Sequence, residues 1–123
     1  MVEFAVVLPF IVMLFLAIWQ VGVAFHNYLT VTDAARVGAR AAAVNRATPM
    51  GSCQAAKNAI QATVSATQWA QMNSAPGSIT CTPATPGAVG TPFKVSITYP
   101  FQFNIFIARP QQLMTSSATE RLE

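Results

Sequence analysis

The sequence predicts an α+β fold in which one long N-terminal helix carries a small head. An uncharged apolar run from Phe4 to Phe25 and the lack of proline between Pro9 and Pro49 predict the long helix. Apolar and polar side chains alternate from Phe93 to Tyr99, as expected of a half-buried antiparallel strand. With 123 residues, the chain has room for one domain, or for a small domain with an appendage.

The first element is a helix predicted from about Val2 to Asn45. The 22 residues from Phe4 to Phe25 would cross a bilayer core about 30 Å thick. A cleaved signal peptide would have a shorter apolar centre and a small-residue cleavage site, so we expect this segment to be retained. At about 1.5 Å per residue the whole helix is a rod of roughly 65 Å, about twice what a membrane needs. We therefore divide the chain into the helix, residues 1–47, and the head, residues 48–123.

The outer half of this helix is rich in small residues. Small side chains allow another backbone to come close, and a helix face made of them predicts tight packing. We assign this packing role to Ala35, Gly38, Ala39 and Ala42.

The head begins after a break at residues 48–51. Residues 53–71 predict a single amphipathic helix with Ser52 as its N-cap. Its apolar stripe consists of Cys53, Ala56, Ile60 and Val64.

Three short strands are predicted to follow as an antiparallel sheet. They are Ser78–Thr82, Phe93–Tyr99 and Leu113–Glu120, and Pro100 is expected to end the middle strand. Residues 83–92 are predicted to form a surface loop. Residues 101–107 are predicted to form an apolar connector, which must pack against another surface of the protein. We expect the head to pack on the distal half of the long helix.

Cys53 and Cys81 are the only cysteines, and neither has the spacing of a metal ligand. Two buried thiols are one interpretation. A disulfide is favoured because a domain this small usually needs a covalent staple, and disulfides form outside the cytosol. The bond would close a loop of about 29 residues and contribute roughly 3–4 kcal/mol.

The flanking charges bear on membrane orientation. Arg36, Arg40 and Arg46 follow the apolar run, whereas residues 1–3 contain no basic side chain. Read literally, the positive-inside rule places the bulk of the chain in the cytoplasm, while the cysteines argue for the outside. A basic leader that preceded Met1 and was removed after insertion would reconcile the two. We expect a single-pass protein of the cytoplasmic membrane with its head outside.

Composition argues against several functions. Charged residues make up 9% of the chain and the net charge is +3, without the dense basic stripe of a nucleic-acid binder. No Asp or Glu occurs from residue 34 to residue 119, and the one histidine, His26, has no catalytic partner. Phosphate-loop, zinc and dinucleotide motifs are missing from the sequence. We expect neither an enzyme nor a cofactor or metal site.

Glu3 and Pro9 are the informative residues of the apolar run. Pro9 removes one helical hydrogen bond, which a membrane tolerates when a neighbour covers the freed carbonyl. Glu3 has two readings. It marks the aqueous edge of the helix, or its carboxylate neutralises the positive amino terminus of a neighbouring subunit in a water-poor core.

Two segments carry a family resemblance. The run Val2-Glu3-Phe4-Ala5-Val6-Val7-Leu8-Pro9-Phe10 and the run Ala34-Ala35-Arg36-Val37-Gly38-Ala39-Arg40 resemble TadE-like proteins, which are minor pilins or pseudopilins of bacterial tight-adherence (Flp) pilus systems. The tail, residues 95–101 and 116–123, is also similar, so the resemblance covers nearly the whole chain.

The resemblance implies a type IV pilin-like fold and a defined set of partners. These are copies of the chain or related pilins, a prepilin peptidase, a membrane assembly platform, and membrane lipid before assembly. By position, Glu3 matches the glutamate associated with processing and subunit registration, and we assign Glu3, Phe4 and Pro9 to assembly. The family glutamate is usually fifth, so either two residues are lacking here or the cleavage point differs. Val37 replaces the acidic residue expected between Arg36 and Gly38.

Three hypotheses follow for the function. The first is a structural subunit of a pilus-like filament, with apolar helices bundled at the centre and stapled heads outside, first in the cytoplasmic membrane and then on the cell surface. The second is a membrane-anchored adaptor that primes a Flp-type pilus and never polymerises. The third, an enzyme or small-ligand binder, is disfavoured by the missing carboxylates.

Overall fold

The computed structural model describes residues 2–45, 49–83, 90–102 and 111–122. It confirms the α+β class, the long N-terminal helix and the three-stranded antiparallel sheet. The described part of the head contains two helices, however, whereas the sequence predicted one. In chain order the elements are α1 (Val2–Val44), α2 (Pro49–Thr63), α3 (Ala66–Asn73), β1 (Ser78–Thr82), β2 (Pro92–Gln102) and β3 (Gln111–Arg121).

Helix α1 is one continuous element of 43 residues and is about 65 Å long. It runs through Pro9 without ending and stops at Val44, one residue before the predicted end. One of its last carbonyl groups, that of Ala41, accepts from both the backbone amide and the side-chain amide of Asn45, each at 3.2 Å.

The prediction of one helix over residues 53–71 was wrong, because the segment is interrupted at Val64 and Ser65. A capping box starts the new helix. The Ser65 hydroxyl accepts from the Gln68 amide at 3.3 Å, and the Gln68 side-chain oxygen accepts from the Ser65 amide at 3.2 Å. Two amide donors at the start of α3 are thereby satisfied, so the break costs little.

The assignment of Ser52 as an N-cap was also wrong. Helix α2 begins at Pro49, where a proline has no amide hydrogen to leave unpaired. Ser52 lies inside α2, is fully buried, and donates its hydroxyl to the Asn45 carbonyl at 2.8 Å. This bond holds the start of α2 against the end of α1.

The sheet has the order β1-β2-β3, and both pairs are antiparallel. Strand β2 continues to Gln102, so Pro100 does not end it as predicted. On its β1 side, pairing stops at Thr98, opposite Ser78. Beyond that point β2 is an edge strand on one side, where a residue without an amide hydrogen is tolerated. Pro100 pairs with Leu113 on the other side.

The core lies between the distal part of α1, the two short helices and one face of the sheet. Strand β2 supplies alternate buried residues, as its sequence pattern predicted. Of the predicted helix stripe, Ala56 and Ile60 are fully buried. Residues 84–89 of the predicted loop and 103–107 of the predicted connector lie outside the described residues. The core comprises Val31, Ala34, Ala35, Ala39, Ala42, Ala56, Ile60, Met72, Phe93, Val95, Ile97, Tyr99, Phe101 and Leu122.

Candidate functional site: the exposed apolar helix

Burial divides α1 into two parts. We call residues 4–25 the apolar rod and residues 26–44 the distal segment. Every side chain of the apolar rod is exposed except Gln20 and Ala24, which are half-buried. The exposed fraction reaches 72% for Phe10 and 73% for Trp19. The large exposed apolar side chains of the rod are Phe4, Val6, Val7, Leu8, Phe10, Ile11, Val12, Met13, Leu14, Phe15, Leu16, Ile18, Trp19, Val21, Val23 and Phe25.

So large a continuous apolar surface does not remain in contact with water in a soluble monomer. Among the described residues, one helix, spanning Glu3 to Val44, is long and apolar enough to cross a membrane. None of its most apolar 18-residue window is buried inside the protein. Length and composition therefore make the apolar rod a candidate membrane span, and the core helix of a soluble protein would be buried instead.

Glu3, Phe4 and Pro9, the residues assigned to assembly, lie together at the start of this helix. Glu3 is exposed in the first turn, where a negative charge is favourable beside the positive end of the helix dipole. Phe4 and Pro9 are exposed on the rod. No described side chain of the head packs over them, so all three are accessible to lipid or to another protein.

The small residues of the distal segment are buried, and the surface that covers them belongs to the same chain. A methyl group added at Gly38 would lie 2.8 Å from Ile60 Cδ1 and 3.5 Å from the Ala56 carbonyl oxygen. Gly38 therefore permits α2 to approach α1 closely. Ala35, Ala39 and Ala42 are fully buried around it.

Two side-chain hydrogen bonds join the head to α1 at positions closer to the apolar rod than Gly38. The Gln68 side-chain amide donates to Asn27 Oδ1 at 3.3 Å, which links α3 to α1. The Ser116 hydroxyl donates to Thr32 Oγ1 at 3.2 Å, which links β3 to α1. No local pattern in the sequence predicts these contacts, because the paired polar residues are 41 and 84 positions apart.

The predicted disulfide is present between Cys53 and Cys81, with 6.0 Å between the Cα atoms. It connects the start of the second turn of α2 to β1 across a sequence separation of 28 residues. Sheet and helix layers are thereby joined covalently at the end of the head opposite the apolar rod.

Tyr99 joins β2 to α3 near the base of the head. Its hydroxyl donates to Gln71 Oε1 at 2.6 Å. Burial raises the pKa of the Tyr99 phenol above its ordinary value, because the desolvated site disfavours the phenolate. A cavity of about 350 Å³ lies beside this pair, lined in part by Asn27, Ser74 and Phe101.

Comparison with known proteins gives one match. Residues 1–40 match the family described as TadE-like protein. No curated protein and no solved structure matches the chain significantly. The matched residues contain the whole apolar rod, the residues assigned above to assembly, and residues 26–40 of the distal segment. Over its first 40 residues, this chain is similar to the TadE-like family, in agreement with the resemblance read from the two N-terminal motifs; the match does not extend to the tail, where a resemblance was also predicted.

Proposed function

We propose that the chain is a structural subunit of a bacterial pilus-like filament, assembled from the cytoplasmic membrane by packing of its apolar rods. The observation that carries the proposal is the apolar rod itself. It is about 33 Å of helix whose side chains are exposed except for the half-buried Gln20 and Ala24, and it adjoins a head that has its own disulfide-bonded core.

The rod is suited to two successive environments. Before assembly its side chains would contact lipid, and afterwards they would contact the rods of other copies or of related pilins. Lipid tails are as apolar as leucine side chains, so this exchange is driven by close packing between helices and not by removal from water. The membrane platform and the prepilin peptidase implied by the resemblance would act at this stage.

The head is suited to lie outside the bundle of rods. Its disulfide favours an oxidising compartment, which supports a location beyond the cytoplasmic membrane. The described part of the head carries few charges, so neighbouring copies would repel one another little. Copies joined by the same head-to-tail contact would form an open helical polymer.

A second candidate is a membrane-anchored minor pilin or adaptor that primes a Flp-type pilus without polymerising. One observation favours it. The small-residue face of the distal segment, which was expected to accept another helix, is already covered by α2 of the same chain. The contacts left for other copies are then concentrated on the apolar rod.

Quantitative mass spectrometry of sheared and purified surface filaments separates the two candidates. A structural subunit is expected in filaments at a copy number comparable with that of the most abundant filament protein. An adaptor is expected in the membrane fraction of the same cells, with only traces in filaments. A membrane-only distribution in piliated cells would refute the filament proposal, and the membrane fraction serves as the control for expression.

A further inference from the structure

The distal segment has an exposed face on the side that points away from the head. Its buried residues recur every three or four positions along one side of the helix, as expected of a helix packed against a core. The residues between them lie on the opposite side, and we call that surface the outer face. It consists of Leu29, Asp33, Arg36, Val37, Arg40 and Val44, all of them exposed.

The apolar residues of the outer face continue a line that begins in the apolar rod. A helix face that meets only water is generally polar, whereas Leu29, Val37 and Val44 expose 46%, 42% and 73% of their surfaces. Every seven or eight residues, which is two helical turns, the same line along the helix carries Phe15, Gly22, Leu29, Val37 and Val44. The exposed apolar surface therefore extends from the rod onto the distal segment, and a continuous surface of this kind marks an interaction site.

Three charged side chains occupy the outer face between these apolar positions. Asp33, the only acidic residue of the distal segment, precedes Arg36 by about one turn and Arg40 by about two turns. All three are exposed, and no ion pair within 4.0 Å joins any of them to another described residue. The outer face thus carries one negative group and two positive groups at different heights, and none is paired within the described part of the chain.

We propose that the outer faces of neighbouring copies converge on a common axis, with successive copies displaced along it by about two helical turns, so that Asp33 of one copy pairs with Arg40 of the next. This inference rests on the proposed function and deepens it. It extends the contact surface from the apolar rod to the distal segment, and it specifies the register between copies. The heads, on the other side of the helix, then face outward.

The charges of the outer face favour a displaced second copy. Copies that enter one membrane in the same orientation have parallel helices. At equal heights, Asp33 would lie level with Asp33 of the next copy, and Arg40 level with Arg40, so like charges would meet. A shift of seven residues, about 10 Å along the helix, brings Asp33 level with Arg40 instead. A carboxylate and a guanidinium are complementary both in charge and in geometry.

The same shift also matches the apolar positions of the line. It brings Val37 of one copy level with Val44 of the next, and Phe15 level with Gly22. Phe15 is 66% exposed, and a methyl group added at Gly22 meets nothing within 4 Å, so an aromatic ring of the neighbour can approach the backbone there. One displacement thus pairs opposite charges, two valines, and a large residue with a small one.

Disulfide cross-linking between copies in piliated cells tests this register. Two differently tagged full-length forms are co-expressed, one with Asp33→Cys and the other with Arg40→Cys, and a mild oxidant is added. The expected product joins position 33 of one copy to position 40 of the other, at a yield about fivefold or more above that from two copies of Asp33→Cys. Arg40→Cys combined with Lys94→Cys, at an exposed position of the head, is the matched control and is expected to give no product. Peptide mapping checks that Cys53 and Cys81 remain joined to each other.

The cross-linked products separate the inference from the proposed function. A dominant product between two copies of Asp33→Cys would show that neighbours lie at equal heights, and this overturns the inference. Purified filaments that contain the chain but give no product between positions 33 and 40 refute the inference alone. If that product forms in the membranes of cells whose filaments lack the chain, the proposed function fails and the contact between copies stands.

Charge reversal gives an independent readout in the same cells. Arg40→Asp sets two carboxylates against each other between copies, so it is expected to lower filament yield about fivefold or more while leaving the amount of chain in the membrane unchanged. Combining it with Asp33→Arg restores opposite charges and is expected to recover most of the yield. Lys94→Asp makes an equal change of charge on the head and is expected to have no effect. A double variant that assembles no better than Arg40→Asp alone would contradict the inference.

Discussion

Gly38 shows how much of the fold depends on the absence of a single methyl group. It lies on the buried face of the distal segment, against Ile60, whose side chain is itself fully buried and has no free space to move into. Gly22 lies on the same helix, and a methyl group added there meets nothing within 4 Å. The two glycines are therefore a matched pair for testing the contact between α1 and α2.

We expect Gly38→Ala to lower the free energy of unfolding by about 1 kcal/mol. Overpacking a buried contact costs about 1–3 kcal/mol, and the better helix propensity of alanine offsets up to about 1 kcal/mol of this. Gly22→Ala gains the same propensity without the clash, so it is expected not to destabilise the chain. Thermal unfolding of the full chain in detergent, followed by circular dichroism, measures both. Equal melting temperatures for the two variants would show that α2 does not press on Gly38.

Tyr99 makes the stability of the head dependent on pH in the alkaline range. Its pKa is raised by burial in the folded state, whereas in the unfolded chain it ionises near its ordinary value of about 10. Below pH 10 both states keep the proton. Above it, the unfolded state loses the proton first, so the free energy of unfolding falls as the pH rises.

Tyr99→Phe is expected to remove this part of the pH dependence and also the hydrogen bond to Gln71, which contributes about 1 kcal/mol. The wild type is then more stable at pH 8, and its advantage shrinks as the pH rises above 10. Denaturant midpoints of both proteins between pH 8 and pH 11 check this. An advantage that stays constant or grows would contradict the assignment.

At the scale of elements, the disulfide connects α2 to β1, two elements that have little other contact with each other. Cys53→Ser opens the loop between α2 and β1, and the chain-entropy estimate for a loop of this length is a loss of about 3–4 kcal/mol. We expect a lower melting temperature for the oxidised variant than for the oxidised wild type. Reduction should lower the wild type toward the variant and leave the variant unchanged. A variant that melts with the wild type under oxidising conditions would show that the bond contributes nothing.

The elements that the sequence predicted correctly are those with a strong local pattern. The apolar run and the lack of proline between Pro9 and Pro49 predicted α1 to within a residue at its end, and the alternation in β2 predicted the buried face of the sheet. The break between α2 and α3 was missed because both segments have a helical pattern and are separated by only two residues. A signal was present nevertheless, since Ser65 followed three residues later by Gln68 is the sequence of a capping box.

The remaining features depend on contacts between distant residues and have no local signature. Pro100 was expected to end β2, but the effect of a proline depends on whether a strand lies beside it, and β1 is too short to reach it. Met114 of β3 lines an apolar cleft together with Ala24 and Phe25 of α1, residues about 90 positions away in the sequence. The sequence located the apolar rod, therefore, but not the part of the head that lies next to it.

At the scale of the whole molecule, the chain combines a head that has a packed, disulfide-bonded core with a rod whose side chains are largely exposed. The only carboxylate at the start of this rod is Glu3. A charged group in the water-poor centre of a helix bundle requires an opposite charge nearby, and an aqueous or headgroup location does not. Removal of the Glu3 charge is therefore expected to affect a rod that enters a helix bundle, and to have little effect on a rod that remains in the membrane.

Glu3→Ala is expected to leave the amount of chain in the membrane unchanged and to reduce filament yield, because neighbouring subunits lose their mutual registration. Glu120→Ala removes an exposed carboxylate from the head and serves as the control, with no expected effect. Membrane fractionation and the mass of sheared filaments measure the two quantities. Normal filament yield from Glu3→Ala would contradict a role in assembly.

Electron cryomicroscopy of purified filaments, at a resolution that identifies side chains, would show whether the apolar rod exchanges lipid for other rods. We expect residues 4–25 of this chain at the filament axis, each rod surrounded by similar rods, with the disulfide-bonded heads on the outside. A filament whose central helices belong only to another protein, or in which these rods are absent, would refute this exchange.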